Sequence, residues 1–246
     1  MDWLLLAAAG FAAGAINAVA GGGSLLTLPA LMLVGLPAVS ANATGTAALL
    51  PGYVASVWAY RDALDAYSRR GWLLILATAA IGGTLGAYLL LLGGDRVFEP
   101  AIPWLMLLSA GLFLVSMRRQ RGVTASRLRL FTPYGLGGLA LVCAYGGYFN
   151  GGLGIILLAL FAALGIAGIA AMNGLKNAVS AMLTVLAVAV YGVGGAVHWP
   201  LALALALATT AGGYWGARWA NRVPDVILRR GIAAVGVALA IAFLLR

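Results

Sequence analysis

The chain has 246 residues, of which 63% are hydrophobic and 9% are charged, and its mean hydropathy is +1.03. A soluble domain of this length normally carries about 25% charged residues, so the composition predicts an integral membrane protein. The net charge of +9 does not indicate a nucleic-acid partner, because the basic residues are confined to short gaps between apolar runs, as in cytoplasmic loops of membrane proteins.

Three further features of the sequence argue against a secreted protein, a disulfide or metal-cluster protein and an enzyme. The segment MDWLLLAAAGFAAGAINAVAGGG has no basic region ahead of its apolar stretch, so we expect no cleaved signal peptide. The single cysteine, Cys143, allows neither an intrachain disulfide nor a thiolate metal cluster. The acidic residues all fall in predicted loops or at the termini, so the sequence offers no basis for an enzyme, a metal site or a cofactor.

In chain order, the apolar runs form two similar halves. A transmembrane helix needs about 20 apolar residues, and three runs in each half satisfy this length. The run before them is too long for one pass and is interrupted by glycine, so we predict a broken helical hairpin there. The first repeat, 1–117, is predicted to contain a hairpin at 3–34 and helices at 42–60, 72–92 and 100–117. After a basic linker at 118–132, the second repeat, 133–246, is predicted to contain a hairpin at 133–165 and helices at 174–195, 199–217 and 229–245.

The positive charges orient these elements. The linker segment RRQRGVTASRLR holds five arginines and no acid, so it should be cytoplasmic. Alternation then places 60–70 and 217–230 inside, and 93–100 and 194–200 outside. The first hairpin therefore starts and ends outside, the second starts and ends inside, and Met1 and Arg246 both lie outside. The sequence predicts an all-α polytopic membrane protein made of two inverted repeats, each with a broken helical hairpin and three transmembrane helices.

The two halves also align at an offset of about 130 residues. GGGSLLTLPALMLVGLP, which starts at Gly21, lies over GGLGIILLALFAALGIA, which starts at Gly151. Further pairs follow in the same order: Asn42 with Asn173, Tyr60 with Tyr191, GGTLGA at 82–87 with GGYWGA at 212–217, and Asp95 with Asp225. An inverted repeat whose matching segments are both broken by glycine points to a transport site near the bilayer midplane.

The glycine breaks predict an anion site, because a helix that begins after a glycine cluster presents free N–H groups and the positive end of its dipole. Gly154 belongs to the second cluster, and the neighbouring asparagines can add amide donors. The candidate substrate-binding residues are Asn17, Gly21, Gly22, Gly23, Ser24, Asn42, Thr44, Thr46, Asn150, Gly151, Gly152, Asn173, Lys176 and Asn177. The alternative is that the glycines are close-packing contacts between helices, which we expect for Gly82, Gly86, Gly212 and Gly216.

Lys176 is the cation that stands out, since it lies one turn into an otherwise apolar helix. An ammonium at the centre of a transmembrane helix costs about 2.5–3.5 kcal/mol. Either its long stem carries the charge out to the cytoplasmic interface, or it supplies positive charge to the same cavity as the helix ends, between Asn173 and Asn177. The matching segment of the first half, NATGT at 42–46, offers neutral donors instead.

Both hairpin segments resemble those of a known family. GFAAGAINAVAGGGSLLTLPALMLVGLPAVSANATGTAALLPGYVASVWAYR is similar to the N-terminal signature of the TauE/SafE sulfite exporters, also called the TSUP family. GGYFNGGLGIILLALFAALGIAGIAAMNGLKN resembles the second signature of that family, and the resemblance runs over nearly the whole chain. It implies a bacterial inner-membrane permease for sulfite, sulfonates or related small sulfur-containing anions.

From the residues and the resemblance together, we predict export of such an oxyanion by alternating access around a midplane site. The alternatives are an anion channel and an uptake permease for an organosulfur anion. The expected partners are the anion and membrane lipid, without nucleic acid and without a cofactor. A homodimer is compatible with the sequence.

Overall fold

The computed structural model describes residues 3–64, 68–118, 127–166, 168–220, 234 and 237–245. Within those ranges the chain consists of helices and short turns, with no β-strand. The helices are α1 (Trp3–Ala20), α2 (Ser24–Leu33), α3 (Ala38–Ala59), α4 (Arg61–Leu64), α5 (Arg69–Arg118), α6 (Pro133–Tyr148), α7 (Leu153–Ala163), α8 (Ile169–Val193) and α9 (Trp199–Ala220). A short 3-10 helix, Arg127–Phe131, precedes α6.

Two stretches of the described chain are long and apolar enough to cross a membrane, by length and composition. They are Arg69–Leu112, which contains an 18-residue window with a mean hydropathy of 2.0, and Ala170–Val193, whose window has a mean hydropathy of 1.5. The first has 44 residues and would be about 66 Å long as one straight helix. Because the hydrocarbon core is only about 30 Å thick, this stretch has to turn back if it is to stay within the membrane.

The turn lies at Gly94, whose φ of 60° and ψ of −172° interrupt α5. Glycine adopts this conformation readily because it has no Cβ. The second leg returns along α6: Gly86 of the first leg packs against Ala144, and Ser109 of the second leg contacts the Tyr145 hydroxyl. The sequence predicted a loop of several residues here, and the structure reduces it to a single glycine.

Asp95, directly after this turn, fixes the start of α3. Its Oδ1 accepts a hydrogen bond from the backbone N–H of Val39 at 2.7 Å. The first amides of a helix have no intrahelical acceptor and carry the positive end of the dipole, and Pro37 at the N-cap position makes no side-chain capping bond. The carboxylate of Asp95 fills that role, and α3 begins at Ala38, four residues before the predicted helix at 42–60.

In both predicted hairpin segments the structure has two helices joined by a glycine turn. The second legs, α2 and α7, have 10 and 11 residues and are about 15–17 Å long, too short to cross the hydrocarbon core alone. Both end with the same backbone pattern, in which Leu36 N–H donates to Leu31 and Ile166 N–H donates to Phe161.

The first leg of each hairpin packs on a helix from the other half of the chain: α1 packs along α9, and α6 packs along α5. The backbones approach so closely that a Cβ on Gly212 would collide with the Phe11 carbonyl, and one on Gly86 with the Ala144 carbonyl. A Cβ on Gly82 would also collide with Ala140, and one on Gly216 with Ala15. The close-packing role predicted for Gly82, Gly86, Gly212 and Gly216 is confirmed.

Within the described ranges the buried apolar residues form two clusters. One joins helices of both halves around Leu31 and Tyr191, and the other joins α5, α6, α7 and α8 around Leu157 and Val179. The last predicted helix, 229–245, is helical at 234 and 237–244. The described residues do not include 229–233, either chain end, most of the basic linker or Asp225. The pairing of Asp95 with Asp225 therefore stays a prediction.

Candidate functional site

The turns of the two hairpins contact each other directly. The Gly154 N–H donates to the Gly21 carbonyl oxygen at 3.2 Å, and a Cβ on Gly21 would lie 2.6 Å from the Gly154 Cα. Gly21 also has a φ of +75°, which residues with a Cβ rarely adopt. The close approach of two backbones therefore accounts for both glycines, and we call this contact the glycine junction.

Four glycine amides of the two turns have no acceptor among the described residues. Within the described ranges, nothing accepts a hydrogen bond from the N–H groups of Gly22, Gly23, Gly151 and Gly152, and all four residues are buried. The Gly21 N–H, by contrast, donates to the Asn17 carbonyl at 2.9 Å. Because each turn leads into a helix, the free N–H groups lie at the positive end of a helix dipole. These four glycines keep the donors that the sequence predicted.

Ser109 and Tyr145 hold the second turn in place. Their hydroxyl oxygens lie 2.8 and 2.7 Å from the Gly151 carbonyl oxygen. Because the C=O and N–H of a planar trans peptide point in opposite directions, this contact directs the Gly152 N–H away from both hydroxyls. The sequence analysis missed this pair, although Ser109 is the one hydroxyl residue in the apolar segment at 101–115.

Lys176 reaches the glycine junction from α8. Its side chain is 1% exposed, and its Cδ would lie 3.2 Å from a Cβ on Gly154. No described residue accepts a hydrogen bond from its ammonium or forms an ion pair with it. The salt bridge found among the described residues joins Arg61 to Asp62 at the surface. The stem therefore runs inward, and the alternative in which it carries the charge out to the interface is wrong.

Asn17, Tyr53 and Asn150 form a buried polar group next to the junction. The Tyr53 hydroxyl donates to Asn150 Oδ1 at 3.5 Å and also contacts the side chain of Asn17. Ser24 Oγ, from the first turn, donates to the Asn150 carbonyl at 3.1 Å. Asn17 Oδ1 and Asn150 Nδ2 are buried without a partner among the described residues. The sequence analysis missed Tyr53, although it lies eleven residues after Asn42, on the same face of α3.

The polar residues predicted on α3 have separate positions. Asn42 Nδ2 donates to the Tyr148 carbonyl at 3.2 Å, and Thr44 Oγ1 accepts from the His198 N–H at 3.0 Å, in the turn between α8 and α9. These two residues connect α3 to neighbouring elements. The Thr46 hydroxyl is buried without a partner among the described residues.

On α8, Asn177 is buried beside Lys176, and Asn173 is half-buried one turn earlier. Ser180 and Thr184 follow Lys176 at intervals of four residues, and both hydroxyls are buried without a partner in the described part of the chain. This spacing puts all three side chains on one face of the helix. The sequence analysis missed the two hydroxyl residues, for which the spacing was the available signal.

Comparison with known proteins places the chain among membrane transporters. The model of a family described as "Sulfite exporter TauE/SafE" matches residues 6–243. The chain is 28% identical over 233 residues to "Probable membrane transporter protein" of Haemophilus influenzae (92% of this chain, 88% of the relative). It is 29% identical over 247 residues to "Probable membrane transporter protein ORF9" of Sinorhizobium sp (96% and 90%). It is 28% identical over 215 residues to "Probable membrane transporter protein YfcA" of Escherichia coli (86% and 76%). No solved structure matches the chain.

Proposed function

Because the chain belongs to the sulfite exporter TauE/SafE family, we propose that it carries small sulfur-containing oxyanions, such as sulfite or a sulfonate, out of the cell. The family and the relatives named as membrane transporters establish membrane transport. The substrate, the direction and the binding site are our proposal.

Lys176 carries this proposal. A buried ammonium without a counter-ion costs several kcal/mol, because the charge has left water and gained no partner. A bound oxyanion supplies both the missing charge and the missing acceptors. The same anion accepts hydrogen bonds from the free amides of the two turns and from Asn150 Nδ2, which otherwise stay unpaired. A purely structural lysine would have a protein carboxylate or carbonyl beside it.

The packing of the hairpins supports two inverted repeats around this site. Each hairpin packs on a helix of the other half, and the two turns meet through glycine backbones. We place the glycine junction near the midplane of the bacterial inner membrane and both termini in the periplasm. Alternating access then requires the two hairpins to separate, which breaks the backbone hydrogen bond between Gly154 and Gly21 and the bond from Ser24 to the Asn150 carbonyl.

The membrane potential favours export. Moving one elementary charge through the potential is worth about 2.3 kcal/mol per 100 mV, and an anion that leaves an interior-negative cell gains this energy per charge. Export therefore needs no coupling ion, whereas uptake of the same anion would. If an imposed potential of either sign leaves the anion flux in proteoliposomes unchanged, the electrogenic export mechanism is excluded.

The test of the site is sulfite efflux from proteoliposomes that contain the purified protein. Lys176→Met keeps the length of the side chain and removes its charge, and we expect efflux to fall about 10- to 100-fold, the value of a hydrogen bond to a charged group. The matched control is Arg61→Met, which removes a cation from the surface and should leave efflux unchanged. Unchanged efflux in Lys176→Met removes this residue from the site.

Unitary rates separate a carrier from a channel. Alternating access is limited by domain motions on the microsecond-to-millisecond scale, so turnover should stay below roughly 10⁵ per second. Single-channel currents that correspond to faster conduction would exclude alternating access and favour an anion channel.

A further inference from the structure

The buried amides beside the glycine junction limit which anions the site can accept. The Tyr53 hydroxyl donates a hydrogen bond to Asn150 Oδ1 at 3.5 Å, and the side chain of Asn17 lies near the same hydroxyl. A phenol hydroxyl has a single proton to donate, so it can donate to only one of the two amide oxygens. The oxygen of the other amide therefore receives no hydrogen bond from this hydroxyl.

This conclusion does not depend on how the two amides are oriented. In the arrangement that the structure shows, Asn150 accepts from Tyr53, and Asn17 Oδ1 is the atom left unpaired. Turning both amides round exchanges their roles but leaves the Asn150 oxygen unpaired instead. If the hydroxyl donates to neither amide, both oxygens are unpaired. In every case at least one amide carbonyl oxygen beside the junction receives no hydrogen bond from Tyr53, and it requires another donor.

In the structure no described residue donates a hydrogen bond to Asn17 Oδ1, while Lys176 supplies one positive charge. We infer that the site selects a singly charged oxyanion that carries a hydrogen-bond donor of its own, such as a hydroxyl group, over anions that have acceptors only. A dianion without a proton meets one cation and a repelling oxygen. A donor-bearing monoanion satisfies the charge, the free amides and the amide oxygen together.

This inference rests on the proposed function and deepens it, because it specifies the chemical class of the substrate at the same site. The hydrogen-bond requirement is selective for a physical reason. A buried group that is built to pair discriminates strongly against a ligand that leaves it unpaired, because the unpaired group keeps its full desolvation penalty.

Two matched pairs of anions test the inference by calorimetry on the full-length protein in lipid nanodiscs. Hydrogencarbonate and nitrate are planar monoanions of similar size, and 2-hydroxyethanesulfonate and ethanesulfonate differ by one hydroxyl group. In at least one pair, we expect the donor-bearing member to bind about 10-fold more tightly. Equal affinity within each pair that binds would overturn the inference, and so would tighter binding of the member without a donor.

Tyr53→Phe connects the selectivity to the shared hydroxyl. Without it, both amides can turn their NH₂ groups towards the anion, so the affinity ratio within a pair should fall towards one. The control is Tyr191→Phe, which removes a buried hydroxyl that bonds the Gly147 carbonyl, and its ratio should match the unmodified protein. A ratio unchanged in Tyr53→Phe contradicts the inference. If Tyr53→Phe does not fold, the ratios of the unmodified protein decide the question.

Sulfite binding distinguishes failure of this inference from failure of the proposed function. If sulfite binds but neither anion pair does, the inference fails and the proposed function stands. If sulfite does not bind either, the proposed function fails with it.

Discussion

The segments 42–46 on α3 and 173–177 on α8 align with each other in the predicted sequence repeat, but their polar residues have different surroundings. Asn42 and Thr44 bond protein partners on neighbouring elements. Lys176 is as deeply buried and has no partner among the described residues. Polar groups that are paired within the fold hold helices together, whereas an unpaired buried charge reduces stability and suits a ligand.

The two hairpin turns also differ in the groups that contact them. The first turn contributes the Gly21 carbonyl to the junction, and the second contributes the Gly154 N–H. The second turn is also held by two hydroxyls at the Gly151 carbonyl. A related sequence pattern in two halves therefore need not give two equivalent halves of a site, because each segment meets different neighbours.

The largest effect is expected at the junction, where the two halves can be compared directly. Gly21→Ala combines a collision with Gly154 and a left-handed backbone, so it should lower the free energy of unfolding by about 2–5 kcal/mol. Gly154→Ala has the collision alone and should cost about 1–3 kcal/mol. Both values can be measured by denaturant titration in mixed micelles.

Two glycines in open space serve as controls for these variants. Gly35 has a φ of +97° and nothing near its Cβ position, so Gly35→Ala shows the cost of the backbone conformation alone. Gly137, on α6, also has nothing nearby, and Gly137→Ala should be neutral or stabilising by up to about 1 kcal/mol. If Gly154→Ala behaves like Gly137→Ala, the hairpins do not touch as described.

Lys176→Met should raise the free energy of unfolding while it reduces sulfite efflux. Replacing a buried unpaired charge with an apolar side chain of similar length removes a desolvation penalty, and we expect a gain of about 1–3 kcal/mol. Thermal unfolding of the purified protein in the absence of anions measures it, with Arg61→Met within about 0.5 kcal/mol of the unmodified protein as the control. A loss of stability in Lys176→Met would show that the ammonium has a structural partner.

In contrast to Lys176→Met, Asn42→Leu and Thr44→Val should lower stability and have little effect on efflux. Each leaves one backbone group, at Tyr148 or His198, without its bond, and each should cost about 1 kcal/mol of unfolding free energy. Efflux per folded molecule should change much less than in Lys176→Met. A tenfold loss of efflux at unchanged stability would place these residues in the site and remove the contrast between α3 and α8.

The smallest effect is expected for Asp95→Asn. The amide still accepts the bond from Val39 but loses the charge that interacts with the helix dipole of α3, so stability should fall by about 0.5–1 kcal/mol. Raising the salt concentration should reduce this difference, since screening weakens interactions between charges. Asp62→Asn, at an exposed position, is the control and should have no measurable effect.

Local patterns explain which features could be predicted. Hydropathy and glycine placement gave the helical segments and the two broken hairpins, because helix length and helix breaking are properties of short stretches. The loop at Gly94 and the start of α3 at Ala38 were misplaced by several residues. A single glycine can reverse a helix, and the cap of α3 comes from Asp95, 56 residues away in the sequence.

In the candidate site, too, some residues could be predicted from the sequence and others could not. Lys176 and the two glycine clusters could be selected from the sequence, because an isolated charge and consecutive glycines are unusual in apolar helices. The sequence marks the positions of Tyr53, on the face of Asn42, and of Ser109, in an apolar segment, but it does not identify the groups that they contact. Tyr145 has no such signal. The importance of all three residues comes from the atoms that they contact across the fold.

The sequence by itself determined the class of the molecule: a helical membrane protein with a glycine break in each half and one lysine in an apolar helix. Only the tertiary structure decided that Gly21 and Gly154 touch, that Lys176 turns inward to that contact, and that Asn42 and Thr44 bond the protein. The physical reason is that burial and helix formation depend on near neighbours in the chain, whereas each hydrogen-bond partner here comes from a distant segment.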